Sequence, residues 1–242
     1  MSYIFSEHIK QSLAVIAFLI TLTACTSESY DAGDGPNSYL TADLVLLHTS
    51  QDKSVRSALL DDGTTLQFSN PFAQDWLTRP DSVYRALLYY DKTVAASDAA
   101  ASNPTATSIV RARSVRPVSV LRPVEAEDME TLRTDPVGFE SLWMSKNKSY
   151  INLSLLLKSG KTEADDALHA LGIVSHGTTT DADRRRTLHL TLYHDQGGVP
   201  AYYTVQQYVS IPTQLLEEAD TVELTLNTYN GKKVVKVAVS NL

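Results

Sequence analysis

The chain has 242 residues, of which 43% are hydrophobic, and it carries a formal net charge of −7 at neutral pH. This hydrophobic content is ordinary for a globular protein, and the length suits one large domain or two modest ones. The acidic balance argues against general nucleic-acid binding, which needs a basic surface. We therefore expect no nucleic-acid partner.

Residues 1–24 have the parts of a secretory signal peptide. Lys10 and the amino terminus supply positive charge, and the apolar run Leu13–Leu22 follows them. A helix that spans a bilayer needs about 20 apolar residues, so this run is too short for one. A transmembrane helix with a chance cysteine is the weaker alternative.

The single cysteine of the chain comes directly after this run. The residues concerned are Leu22, Thr23, Ala24 and Cys25, and they resemble the lipobox of bacterial lipoproteins. The resemblance implies that a dedicated peptidase cuts before Cys25, which then carries the lipid. Several acyl chains hold a protein firmly on a membrane. We expect an exported protein whose Cys25 anchors it to the outer membrane, on the periplasmic or the cell-surface face; a soluble secreted protein cut elsewhere is the alternative.

Lipidation of Cys25 would leave the folded part without a thiol. Thiol catalysis, zinc sites that use cysteine, iron–sulfur clusters and intrachain disulfides are then all excluded. Residues 25–38 are polar, acidic and rich in Gly and Ser, which predicts a flexible tether. Its acidic residues Glu28, Asp31 and Asp34 could instead form an export signal to the cell surface, as in some Bacteroidetes lipoproteins.

From residue 39 onward the apolar residues recur with the period of two that is typical of strands. Leu40, Ala42, Leu44 and Leu46 share one face. Asp62-Gly63 favours a tight hairpin turn. Around it we predict further strands, a short helix and a long loop: strands over Ser54–Leu60, Thr64–Phe68, Ser82–Asp91 and Ile109–Leu121, the helix over Pro71–Leu77, and the loop over 95–107.

An acidic segment at 125–136 separates two strand-rich regions, so we predict domains over 39–124 and 137–242. In the second region Ile151, Leu153, Leu155 and Leu157 share a face from which Asn152 and Ser154 point away. Further alternating runs are joined by Gly197-Gly198 and Asn230-Gly231 turns, and one helical turn follows Pro212. Regular short strands with such turns predict an antiparallel β-sandwich.

Three segments of this region, Asp135–Lys158, Leu188–Gly198 and Tyr208–Pro212, resemble the NigD-like lipoproteins of Bacteroidetes. The resemblance covers nearly the whole chain after the tether. It implies an all-β fold, with an N-terminal OB-like β-barrel that has one short helix, followed by the C-terminal sandwich. The family is named after a bacteriocin locus, which suggests immunity or accessory roles, and it has no established catalytic residues.

The histidines do not predict a metal site. His189 and His194 are an odd number of residues apart, so they point to opposite faces of a strand, and no pair has a spacing that would aim two imidazoles at one ion. We expect His194 to cap a core edge by hydrogen bonding. No nucleophile elbow, P-loop or dinucleotide fingerprint is present, so we predict no catalytic residue, metal or cofactor.

Two surfaces are candidates for ligand binding. Arg111 and Arg113 share a strand face, and guanidinium groups suit carboxylates or phosphates. They belong to a larger arginine set with Arg116 and Arg122, and with Arg79 and Arg85 nearby. The alternative for this set is a solvated strand face balanced by nearby carboxylates.

The second candidate surface is aromatic: Tyr202 and Tyr208 could stack on a sugar or anchor a protein partner, unless their rings face inward. Asp81-Ser82-Val83 and Asp220-Thr221-Val222 also resemble the short O-glycosylation motif of exported Bacteroidetes proteins. Both motifs could instead simply begin strands.

Together these observations predict a lipid-anchored, non-enzymatic protein of the cell envelope that acts as a binding or interaction module. Its expected partners are the membrane, through the lipid, and a protein or an anionic glycan. The alternative is a bacteriocin immunity or self-protection protein in which the same surfaces meet a toxin. A glycan-binding or hydrolytic accessory protein is the third possibility.

Overall fold

A computed structural model describes residues 40–92, 108–161, 168–216 and 219–239, which lie in one compact unit that begins at Leu40. Most of these residues are in β-strands. The predicted signal peptide, lipobox and tether, and the loop predicted over 95–107, all lie outside the described residues. Among the residues that are described, no helix has the length and apolarity needed to cross a bilayer.

The first five strands close into a barrel. They are β1 (Leu40–Thr49), β2 (Val55–Leu60), β3 (Thr65–Phe72), β4 (Val83–Lys92) and β5 (Ser108–Pro117), paired in the order β1-β2-β3-β5-β4 and back to β1. β3 and β5 are parallel, whereas the other neighbours are antiparallel. This is a closed five-stranded barrel of OB type, as predicted. The predicted turn at Asp62-Gly63 joins β2 to β3, and Gly63 has a φ of +89°.

The barrel interior takes the opposite face of β1 from the one that the sequence pattern favours. Val45 and Leu47 are fully buried in the barrel core, together with Val55, Ala58 and Leu88. The predicted apolar face, with Leu40 and Ala42 exposed at its start, points out of the barrel. The predicted strand is present and its four apolar residues share a face, but that face is the outer one. Both faces of β1 carry apolar side chains because its outer face also borders the sandwich domain, so alternation alone could not separate them.

The sequence also predicts a helix over Pro71–Leu77 that the structure does not contain. β3 instead continues to Phe72, which pairs with Val55 of β2, and a turn follows in which the Leu77 N–H bonds the Gln74 carbonyl at 3.0 Å. The Phe72 ring packs edge-on against Phe68 at 5.1 Å. This contact in the barrel core is possible because Phe72 stays extended.

The other nine strands that the structure describes form two packed sheets. One has the order β14-β13-β11-β10-β7 and the other the order β6-β12-β9-β8. Their bounds are β6 (Ser119–Val120), β7 (Pro123–Glu125), β8 (Gly138–Met144), β9 (Tyr150–Ser159), β10 (Ala170–Thr180), β11 (Arg186–Asp195), β12 (Tyr203–Pro212), β13 (Thr221–Thr228) and β14 (Gly231–Ala238). The helical turn predicted after Pro212 is present as a short 3-10 helix, Thr213–Leu215.

The pairing within the sandwich is mixed rather than purely antiparallel. β11 and β13 run parallel because β12, which lies between them in sequence, belongs to the other sheet. β6 and β7 also pair parallel with sandwich strands. After Pro117 the chain therefore pairs with sandwich strands and no longer with the barrel. This change comes earlier than residue 124, the predicted end of the first domain. The domain limits of 39–124 and 137–242 stay a prediction.

The predicted faces of β9 are confirmed. Ile151, Leu153 and Leu155 are fully buried in the sandwich core, where they meet Leu224 and Leu226 of β13. Asn152 and Ser154 lie on the other face, as expected, yet both are buried as well. A strand with polar side chains on a second buried face needs hydrogen-bond partners for them, and those of Asn152 come partly from the barrel.

Candidate functional site

A buried ion pair lies where the barrel meets the sandwich. Arg85 on β4 has a side chain that is 1% exposed, and its two terminal nitrogens donate to the two carboxylate oxygens of Asp61 at 2.5 and 2.7 Å. Asp61 follows β2 directly, in the turn to β3, and its carboxylate is 19% exposed. This forked geometry is the strongest that arginine makes with a carboxylate.

Two side chains of the sandwich complete the network. Arg85 donates from Nε to Ser210 Oγ at 3.2 Å and from Nη2 to Asn152 Oδ1 at 3.0 Å. Asn152 donates in turn to Asp61 at 3.2 Å, and the Ser210 hydroxyl donates to Asn152 Oδ1 at 2.7 Å. The Tyr150 ring covers the guanidinium at 4.4 Å. These five side chains are called the bridge below. They join the barrel to the sandwich through the buried Arg85 guanidinium, which donates to side chains on both.

A cleft of about 800 Å³ opens beside the bridge, between the barrel and the sandwich. Its volume is in the range of small-molecule sites. Its lining combines cations and aromatic rings: Arg79, Arg122 and Lys148 with Trp76, Tyr84 and Tyr150. Among the described residues that line it, none is Asp or Glu. We call it the basic cleft, and it is a cationic site in an acidic chain.

The aromatic wall of the basic cleft is held together by contacts with arginine. The Trp76 and Tyr84 rings meet edge-on at 5.8 Å, and the Arg79 guanidinium lies 5.9 Å from the centre of the Tyr84 ring. The Arg79 backbone N–H donates to the Tyr84 hydroxyl at 2.7 Å. Desolvation acts to raise the pKa of Tyr84, but this N–H, the Thr78 side chain and the Arg79 guanidinium outweigh it, so the pKa lies below its usual value. The cleft thus favours negative charge.

A smaller cleft of about 360 Å³ lies at the same junction and has the opposite charge. Asp43, Asp61 and Asp62 line it, with Lys146 as the one cation among its described lining residues. The Tyr90 hydroxyl donates to Asp43 at 2.8 Å. Burial, followed by this carboxylate, raises the pKa of Tyr90. Three aromatic rings complete this acidic cleft: Tyr89, Trp143 and Tyr208.

The structure divides the arginine set of the sequence analysis. Arg79, Arg85 and Arg122 line the basic cleft. Arg111 and Arg113 instead lie exposed on β5, and they border a groove of about 240 Å³ on the barrel alone. Arg113 forms an ion pair with Asp91. The ligand-binding role of Arg111 and Arg113 therefore stays a prediction, on a different surface from the cleft.

The predicted tyrosine pair is also divided. Tyr208 borders the acidic cleft, where its ring meets Trp143 edge-on at 6.3 Å. Tyr202 is 78% exposed and lies before the start of β12, where its N–H bonds the Ser159 carbonyl. Thr221 begins β13 and Ser82 immediately precedes β4, so each sits at a strand start, and glycosylation of either stays a prediction. Cys25, Leu22, Thr23 and Ala24 lie outside the described residues.

The expected role of His194 is confirmed. It is buried, its Nδ1 lies 2.9 Å from the Asp135 carbonyl oxygen, and its Nε2 lies 2.9 Å from His169 Nδ1. Burial, and then the neighbouring His194, lower the pKa of His169. Because a carbonyl oxygen can only accept, His194 Nδ1 is the donor in the bond to Asp135. Within the described part of the chain, no group of three His, Cys, Asp or Glu side chains could hold a metal ion.

Sequence reasoning missed the bridge because its members come from distant segments. Asp61 directly precedes the predicted Asp62-Gly63 turn and Asn152 is predicted to face away from the core, but nothing in the sequence pattern pairs them. One signal was present: Arg85 stands in the apolar run of β4, VYRALLYY. An arginine buried in such a strand needs a partner, although its identity requires the fold.

These features define a β protein with a closed barrel, a sandwich and ligand-sized clefts at their junction. Residues 120–239 match the family described as the NigD-like C-terminal beta sandwich domain. The resemblance noted in the sequence is thus confirmed, and this part of the chain is a NigD-like C-terminal β-sandwich domain. No curated protein sequence matches the chain.

Several solved structures have the same fold. A NigD-like immunity protein from Bacteroides caccae is 23% identical with a TM-score of 0.58, over 81% of this chain and 91% of its own. A candidate toxin-related protein from Parabacteroides distasonis is 20% identical with a TM-score of 0.52, over 82% of this chain and 92% of its own. A candidate lipoprotein from Bacteroides fragilis is 13% identical with a TM-score of 0.57, over 83% of this chain and 98% of its own. At these identities the likeness concerns the fold.

Proposed function

We propose that this protein is a lipid-anchored, non-enzymatic binding module of the cell envelope, and that the basic cleft is its ligand site. The observation that carries the proposal is the cleft itself, which is wide, lined by cations and aromatic rings, and bordered by a bridge that fixes its two walls. Arg85 and Asp61 neutralise each other, so they hold the site in shape. Arg79, Arg122 and Lys148 supply the charge that a ligand would meet.

Support for the anchor comes from the sequence, where Leu22-Thr23-Ala24-Cys25 follows an apolar run of signal-peptide length. A related fold in the candidate lipoprotein from Bacteroides fragilis is consistent with it. A lipid at Cys25 would hold the barrel and sandwich at the outer membrane, within reach of envelope polymers and secreted proteins.

A second candidate function is immunity against a toxin. It is favoured by the names of two proteins of the same fold, the NigD-like immunity protein and the candidate toxin-related protein. In that case a toxin would be the ligand of the junction between barrel and sandwich.

We expect Cys25→Ser to move the full chain from the membrane fraction to the soluble fraction, because only the lipid would hold it at the membrane. Fractionation of cells that express each form, with a palmitate analogue as metabolic label, measures this. Unchanged membrane association of the variant, or a wild-type protein without label, would contradict the anchor.

Ligand binding is tested by blocking the cleft in the lipidated full chain. Ser149 is exposed and lines the basic cleft, so Ser149→Trp should fill it, whereas Ser141→Trp adds the same ring on exposed β8 outside the cleft. After purification from native envelopes, wild type and Ser141→Trp should retain a component, identified by mass spectrometry, that Ser149→Trp loses. Equal retention by all three would refute the proposed site.

A further inference from the structure

We propose that the basic cleft binds a saccharide that carries carboxylate or phosphate groups. This inference rests on the proposed function and specifies its ligand. The cations of the cleft would bind the anionic group, and its aromatic rings would contact the sugar ring.

The anionic part follows from the charge of the lining. Arg79, Arg122 and Lys148 are exposed to solvent at the cleft, and no carboxylate shares the described lining with them. The only carboxylate of the bridge, Asp61, is turned toward Arg85 and lines the other cleft. The protein as a whole is acidic, so a cationic cleft concentrates anions that the remaining surface repels. Guanidinium groups bind carboxylate and phosphate oxygens in pairs.

The saccharide part follows from the rings. Trp76, Tyr84 and Tyr150 all border the cleft and are all half-buried. Trp76 and Tyr84 pack with one side against the barrel core, and the Tyr150 ring covers the Arg85 guanidinium. Aromatic rings with one accessible face provide an apolar surface next to polar groups, and this combination matches a sugar, which has an apolar ring face and a polar edge. A small inorganic anion would contact the cations but would not cover the accessible sides of these rings.

The chain offers a matched set of arginine variants. Arg79→Gln/Arg122→Gln removes two charges from the basic cleft at exposed positions, so the fold should persist. Arg184→Gln/Arg185→Gln removes two exposed charges from the hairpin between β10 and β11, outside the cleft. Arg111→Gln/Arg113→Gln removes the pair on β5 that the sequence analysis names as a candidate.

The experiment is calorimetric titration of the full chain in detergent at about 0.01 M salt, where screening is weak. The probes are trigalacturonate, glucose 6-phosphate, the neutral maltotriose and inorganic phosphate. We expect at least one anionic sugar to bind at least tenfold more tightly than maltotriose and inorganic phosphate. Arg79→Gln/Arg122→Gln should weaken that binding at least about tenfold, which corresponds to one lost charged hydrogen bond. The other two double variants should bind like wild type, and the preferred anionic probe identifies carboxylate or phosphate as the recognised group.

Several results would overturn the inference. These are equal binding of maltotriose, equal binding of inorganic phosphate, loss of affinity in the hairpin variant as large as in the cleft variant, or no binding of any probe. Each leaves the proposed function standing if Ser149→Trp still loses its envelope component. If Ser149→Trp retains that component, the proposed function fails whatever the sugars do.

Discussion

Replacing Arg85 by methionine should lower the free energy of unfolding by about 3 kcal/mol, because it leaves the Asp61 carboxylate without its ion-pair partner inside the junction. Asn152 and Ser210 each lose a donor in the same step. This loss of stability is at the lower end of the range measured when one partner of a buried ion pair is removed, since the Asp61 carboxylate keeps some contact with water. Urea denaturation of wild type and variant measures the difference.

The chain contains a control for this experiment in a second Arg–Asp pair. Arg113 pairs with Asp91 on the barrel surface, where the arginine side chain is 40% exposed. Arg113→Met should cost less than Arg85→Met, because the Arg113 side chain is half-exposed and exposed ion pairs contribute little to stability. Adding Asp61→Leu to Arg85→Met should recover part of the lost stability, since no lone charge then remains. Equal costs for Arg85→Met and Arg113→Met would mean that the bridge does not hold the domains together.

Leu153→Ala should lower the free energy of unfolding by about 2–5 kcal/mol. Leu153 is fully buried in the sandwich core, directly beside Asn152 of the bridge. The substitution removes apolar contact area and leaves a cavity between the two sheets, which close packing prevents from collapsing fully. Denaturation in urea with the same protocol gives the value.

Leu132→Ala is the matched control, because Leu132 is 44% exposed in the segment between β7 and β8. Its cost should stay within about 0.5 kcal/mol, as for other surface positions. If Leu153→Ala cost no more than Leu132→Ala, the two-sheet core described above would be contradicted.

The sequence predicted the fold class well because its evidence was local. The alternation in β9 and the Asp62-Gly63 turn each depend on a few neighbouring residues, and both are present as predicted. β1 was harder, since both of its faces are apolar, and only the closed barrel shows that Val45 and Leu47 point inward. The segment Pro71–Leu77 has helix-like spacing, but its Phe72 is extended through pairing with Val55, a contact far away in the sequence.

The candidate site was predicted only in part, for a related reason. Arg79, Arg85 and Arg122 were grouped with Arg111 and Arg113 as one basic region, because sequence distance cannot assign them to different surfaces. The barrel places β4 and β5 side by side, yet Arg85 points toward the sandwich whereas Arg111 points to solvent. The sandwich contributions, Asn152 and Ser210, are 58 residues apart in sequence. Only the pairing of β9 with β12 brings them together.

The junction of barrel and sandwich holds a basic cleft beside an acidic one. The two tryptophans of the chain test it directly, since Trp76 borders the basic cleft and Trp143 the acidic cleft. Trp143→Phe and Trp76→Phe each leave one fluorophore. Its quenching by iodide and by caesium is then measured at a total ionic strength of about 0.1 M, where the Debye length is about 10 Å.

The ratio of iodide quenching to caesium quenching should be clearly higher for Trp76 than for Trp143, because the cations around Trp76 attract the anion and the carboxylates around Trp143 attract the cation. Equal ratios, or a higher ratio for Trp143, would contradict the account.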